Sequence, residues 1–318
     1  MKTLFQDNTL TLISTESSQE LLNDNSLREY SSLKGHRSLF SSKEWVQAYL
    51  ETYTPQLEFL IAKIEQNYCV FMSNKKNKYI FVGDEFNDFN LLQNVHSIES
   101  DLSAIVTKIE SILTKKILWT GIYENNEIQL FNNDRYEQCQ TICVKIDPTR
   151  SCSFQNMVAK RIKKLYEKKD QWQYKRVYGR EAEFQDLLDI LLSLRFNKLN
   201  TKKLETKNRS YELDFNRFII KVCSNLSIAN NVFLDCVFFG QDPIGLALYF
   251  IKEDSVMCYV RSHVNLGNSI SPGLALDYWS AMQNDEQHIT LWDFTRGDED
   301  YKFRLGGVPY FIHNYVKK

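Results

Sequence analysis

Apolar residues recur along this chain at two spacings, and the change from one to the other divides it into elements. Ser41 or Ser42 can cap a helix that places Trp45, Ala48 and Tyr49 on one face. Glu58 to Ile64, Tyr68 to Ser73 and Tyr79 to Val82 then read as strands, broken by Glu65-Gln66-Asn67 and by the solvated turn Asn74-Lys75-Lys76-Asn77. Runs joined so closely predict an antiparallel meander. A helix from about Asp101 to Leu113 and a strand at Lys116 to Thr120 follow.

The second half repeats that order. Phe154 to Lys169 sets Met157, Ile162 and Leu165 among six basic residues, which reads as a connecting helix and places the domain boundary between 1–150 and 151–318. A helix carrying Phe184, Leu187, Leu188, Leu191, Leu192 and Leu194 and another carrying Phe218, Ile219 and Val222 are expected on one sheet face. Asn231 to Phe239, Ile244 to Lys252 and Val256 to Ser262 form three strands with links short enough for hairpins. Ala275, Tyr278, Trp279 and Met282 give a helix one apolar face, and the chain then crosses to a parallel strand near Ile289. The fold class is α+β, with two halves that read as divergent copies.

Composition narrows the picture. With 318 residues, 43% hydrophobic and 25% charged, the chain is ordinary globular protein with room for two domains. Thirty-nine basic and forty acidic side chains leave a formal charge of −1, so nothing in the balance draws it to nucleic acid or an anionic membrane. No run approaches the roughly 20 apolar residues of a membrane helix, and the first residues do not resemble a signal peptide. The expectation is a cytoplasmic protein. Seven cysteines without a C-x-x-C pair disfavour a disulfide framework and a zinc site, and five scattered histidines imply no metal.

The candidate chemistry lies in two stretches. Ser271-Pro272-Gly273 is a good helix start, preceded by the donor-rich loop Gly267-Asn268-Ser269-Ile270, and a helix N-terminus attracts phosphate. Such a start alone is more often plain helix initiation. About twenty residues on, however, Trp292-Asp293-Phe294-Thr295-Arg296-Gly297-Asp298-Glu299-Asp300-Tyr301-Lys302 follows a strand with more charge than a turn needs.

Together, Ser271-Pro272-Gly273, Asp293-Phe294, Gly297-Asp298-Glu299 and Tyr301-Lys302 resemble the acetyltransferase domain of the GNAT superfamily, in its Fem-like, two-domain, cellulose-biosynthesis-protein-like branch, over roughly residues 155 to 305. The resemblance implies tandem GNAT-like domains, each a mixed, mostly antiparallel sheet flanked by helices, with a degenerate N-terminal copy. It implies acyl-CoA lying where Val256–Ser262 and Ile289–Phe294 splay apart, with its pyrophosphate at Gly267, Asn268, Ser269, Ser271 and Gly273. Backbone N–H groups of Tyr259, Val260 and Arg261 would face the thioester, and Tyr301 would protonate the departing thiolate. The N-terminal copy offers no Gly/Pro loop before its helix, so one donor site is expected.

For the general base, Asp298, Asp235 and His263 are all candidates; the family motif includes Asp298. Arg296 and Lys302 can bind phosphates, or equally pair with Asp298, Glu299 and Asp300. In the first half, Gly83, Asp84, Asp88 and Phe89 resemble a family loop on the acceptor side, and Arg195 stands where relatives carry a different basic segment. Relatives with this two-domain layout modify amines during envelope or polysaccharide assembly, and some N-acylate nucleotide-linked amino sugars such as a dTDP-amino-dideoxyhexose, which implies a role in bacterial surface polysaccharide or lipopolysaccharide biosynthesis. The expected partners are therefore two small molecules, acyl-CoA and an amino sugar nucleotide, with no permanently bound cofactor, and the oligomeric state is left open. Alternatives are a Fem-like transferase using aminoacyl-tRNA and a peptidoglycan precursor, or a scaffold that has lost catalysis.

Overall fold

A computed structural model describes residues 1–24, 39–40, 42–53, 58–64, 67–73, 78–82, 102–123, 131, 135–146, 172–201, 207–228, 230–252, 254–264, 272–282 and 289–318. The elements in chain order are β1 Lys2–Gln6, β2 Leu10–Thr15, α1 Ser18–Asn23, α2 Lys43–Thr52, β3 Phe59–Ile64, β4 Asn67–Ser73, β5 Tyr79–Phe81, α3 Leu102–Ile112, β6 Leu118–Tyr123, β7 Tyr136–Ile146, β8 Trp172–Tyr178, α4 Phe184–Thr201, α5 Lys207–Ser227, β9 Val232–Phe239, β10 Asp242–Lys252, β11 Ser255–His263, α6 Pro272–Met282, β12 Leu291–Arg296, α7 Asp300–Arg304 and β13 Val308–Lys317. They fall into two compact units, Met1–Ile142 with Tyr310–Lys318, and Cys143–Pro309.

In the first unit β1 to β5 pair in chain order, every neighbour antiparallel. The meander of β3 to β5 is the one the sequence predicts, and Ser42 caps α2 by accepting from the Trp45 N–H at 3.3 Å. α3 buries Ile105, Val106 and Ile109 against Leu12, Leu60, Phe71 and Trp119, the stripe that its i, i+4 spacing dictates. The chain then returns parallel to β5, through the Tyr79–Ile117 bridge, and enters β6. β13 pairs antiparallel with β6, and its Tyr315 stacks on Phe131 at 4.2 Å.

The second unit holds the end of β7 and the strands β12, β11, β10, β9 and β8, neighbours in that order. All of these pairs are antiparallel except β11 with β12, which the α6 crossover makes parallel. Phe233 and Val237 of β9, Ala247 and Tyr249 of β10 and Val256 and Cys258 of β11 form one core with Ala275 and Leu276 of α6. α4 and α5 cover strands of the same sheet, Phe215 of α5 stacking on Tyr259 at 6.2 Å. β9 is buried at six consecutive positions, as a strand covered on both faces must be.

Both units repeat strand, helix, parallel return, so the tandem mixed-sheet architecture expected from the sequence is the one observed. Against 1–150 and 151–318, the units divide at Ile142 and Cys143, and Tyr310–Lys318 joins the first unit because β13 pairs with β6. The connecting helix expected over 154–169 lies outside the described residues. No helix among the described residues is long and apolar enough to cross a membrane. Five of the six described cysteines are buried.

Candidate active site

β11 and β12 pair at Ser255–Leu291, Val256–Trp292 and Met257–Asp293, and there the ladder ends. Two irregularities mark the parting. On β11 the register with β10 jumps from Tyr249–Cys258 to Leu248–Val260, leaving Tyr259 as an extra residue in a β-bulge. On β12 Thr295 takes a left-handed backbone at φ 55°, a strained conformation for a β-branched residue. Its N–H donates to Asp293 Oδ1 at 2.7 Å and its hydroxyl to the Cys258 carbonyl at 3.3 Å. A side chain thus serves the first β11 carbonyl beyond the ladder, and the strands separate without leaving that acceptor unpaired.

The bulge also decides which side chains face α6. A one-residue slip turns every later side chain to the opposite face. Arg261 therefore pairs across from Ala247, and His263 across from Gly245, on the side where α6 packs. A Cβ at Gly245 would come 3.3 Å from the Pro272 carbonyl, and one at Gly273 would come 2.8 Å from Arg261 Nη2 and 2.9 Å from His263 Nδ1. Two glycines thus bring the start of α6 against the start of β10 and the end of β11.

One helical turn beyond Gly273, the buried Asp277 accepts from Arg261 Nη1 with both oxygens, at 2.8 and 2.7 Å. Burial works against the Arg261 charge, but Asp277 holds its pKa above the usual arginine value. Burial also raises Asp277, with Arg261 pulling it back. His263 is half-buried, and that burial, with the Lys198 and Arg261 charges, lowers its pKa to about 4. Its imidazole is therefore neutral at physiological pH.

Tyr301 lies in the first turn of α7 with its ring under the Arg261 guanidinium, 4.0 Å from carbon to centroid, and edge-on to Phe294 at 6.0 Å. Burial raises its phenol above the usual range, and Arg261 opposes that shift. The turn before it is clamped by Lys302, 2% exposed, whose ammonium donates to the Arg296 carbonyl at 2.6 Å and the Gly297 carbonyl at 3.1 Å and pairs with Glu299 at 3.0 Å. All three ammonium donors have partners within the chain, which is the salt-bridge alternative for Lys302 and leaves none for a phosphate.

The other expected residues are dispersed. Asp235 is fully buried and takes both its oxygens to Arg176, at 2.7 and 2.9 Å, so it offers no lone carboxylate for proton transfer. Arg195 pairs with Glu212 and lies over the Phe215 ring at 4.1 Å, tying α4 to α5. Arg296 is exposed at the end of β12, and Asp298 is exposed on the turn after it. Gly267, Asn268, Ser269, Ser271, Asp84, Asp88 and Phe89 lie outside the described residues. Asp277 was not among the expected residues. No group of three metal-ligating side chains occurs among the described residues.

Residues 153–303 match the family model of the acetyltransferase (GNAT) domain, a segment that holds the strand parting, Arg261, His263, Gly273 and Tyr301. Three solved structures share the fold along nearly the whole chain. A conserved protein from Bacteroides thetaiotaomicron is 13% identical over 96% of this chain and 100% of that one, with a TM-score of 0.60. FemX is 10% identical over 96% and 97%, at 0.58. A tandem GNAT protein from the clavulanic acid biosynthesis pathway is 8% identical over 97% and 98%, at 0.50. No curated protein matches the chain by sequence. The match over residues 153–303 supports an acyltransferase enzyme, and GNAT domains use acyl-CoA as co-substrate.

Proposed function

We propose that the protein is an N-acyltransferase that moves an acyl group from acyl-CoA to the amine of a nucleotide-linked amino sugar, by direct attack in a ternary complex. The observation that carries the reading is the parting of β11 from β12 after three residue pairs, with the Tyr259 bulge and the start of α6 at the same end. Strand N–H groups released there support a role in holding the thioester carbonyl, and the helix start supports one in holding the pyrophosphate.

In this mechanism the amine nitrogen attacks the thioester carbon, forming the C–N bond. His263, neutral and beside Arg261, takes the surplus amine proton. Collapse of the tetrahedral intermediate breaks the C–S bond, the electron pair goes to sulfur, and Tyr301 supplies its proton. His263 then releases its proton to water and Tyr301 regains one, so amide and free thiol are the only products.

Thermal unfolding with coenzyme A, short acyl-CoAs and a panel of nucleotide-linked amino sugars tests the proposal, because a ligand of the native state raises Tm. A rise with both ligand classes is expected. The absence of any shift with coenzyme A compounds removes the donor assignment and turns attention to aminoacyl transfer, the second reading, which the likeness to FemX along 96% of the chain favours.

A further inference from the structure

We infer that Arg261 acts through Tyr301: its guanidinium, held over the ring by Asp277, steadies the phenolate that forms when Tyr301 gives its proton to the departing thiolate. The inference rests on the reading of Tyr301 as the acid and adds a side-chain role for Arg261, whose strand position alone suggested only a backbone one. Three observations converge. The guanidinium carbon lies 4.0 Å from the Tyr301 centroid, a distance at which a cation is attracted to the ring face, and more strongly once the ring carries the phenolate charge. Asp277 grips Arg261 through a single nitrogen, Nη1, with both carboxylate oxygens. The bulge at Tyr259 is what turns Arg261 toward α6 at all.

The charges facing Tyr301 are Arg261 from β11, Asp277 from α6 and Glu299 from the turn before α7. Cys258, also near, is kept protonated by burial, which pushes its thiol to about 12. Among these groups Arg261 is the cation over the ring, Glu299 being itself paired with Lys302, and the proton transfer leaves the Arg261 charge where a negative charge develops. Arg261 is a positioning residue in this scheme; Tyr301 is the group that touches the sulfur.

The test is a titration of the full chain with a polyfluorinated tyrosine at position 301, whose phenol ionises at far lower pH than that of tyrosine, followed by its fluorine resonance. Arg261→Met is expected to move the midpoint upward by about one pH unit, and Arg261→Lys to return most of that shift. Should Arg261→Met fail to fold because Asp277 is left buried without a partner, Arg261→Met with Asp277→Leu removes both charges together, and a smaller upward shift is expected. A merely structural arginine leaves the midpoints coincident in all these chains, and that result overturns the inference. Thiol release from acetyl-CoA with hydroxylamine as acceptor separates the two ideas. A Tyr301→Phe chain as fast as its parent removes the acid role, and the inference with it. Coincident midpoints beside a slow Tyr301→Phe chain overturn the inference alone.

Discussion

Lys302 is a lysine used as a backbone clamp. Its buried ammonium holds two carbonyls, of Arg296 and Gly297, at the place where β12 turns toward α7. Lys302→Met keeps the stem and orphans both carbonyls, so a loss of about 2 kcal/mol in urea unfolding is expected, together with slower turnover as Tyr301 loses its fixed turn. His263 predicts a pH dependence. Its folded pKa of about 4 lies below the unfolded value of about 6.5, so the unfolded chain binds more protons between them. Stability therefore falls as pH drops from 6.5 toward 4 and stops falling on that account below 4. His263→Gln should flatten this part of the curve, measured by unfolding at a series of pH values. The sequence points to Tyr301, Gly273 and His263 by residue type and position, and the structure brings them around Arg261. Asp277 was not legible, because its partner faces α6 only through a one-residue bulge, and a register slip leaves no mark on hydrophobic spacing.

The start of α6 is the element on which the site depends. Glycine at 273 matters for space: an added methyl carbon would press on Arg261 Nη2 and His263 Nδ1, both ends of movable side chains. Gly273→Ala should therefore leave Tm within a few degrees while lowering kcat/KM about a hundredfold and abolishing stabilisation by coenzyme A, read by thermal unfolding and thiol release. Elements with strong local periodicity were legible, among them α4 with its buried leucines and the hairpins of β9 to β11. β1 was not, since none of its five residues is buried and no alternation survives at such an edge. β13 was not either: Pro309 near its start argues against a strand, and its partner β6 lies far back in sequence, where no local pattern can signal the pairing.

At the scale of the whole molecule, the first unit contains residues from both ends of the chain and the second contains none. Ending the chain at Pro309 removes Tyr310, Ile312 and Tyr315 from the first unit's interior, and should lower its stability while leaving the second unit's unfolding transition in place. Differential scanning calorimetry of the shortened chain, with the loss of one transition, checks this. The same threading sets a schedule during synthesis. Domains generally fold in the order they leave the ribosome. Here the part of β13 that pairs with β6 is made only after every residue of the second unit, so the first unit cannot complete its sheet until its neighbour has been synthesised.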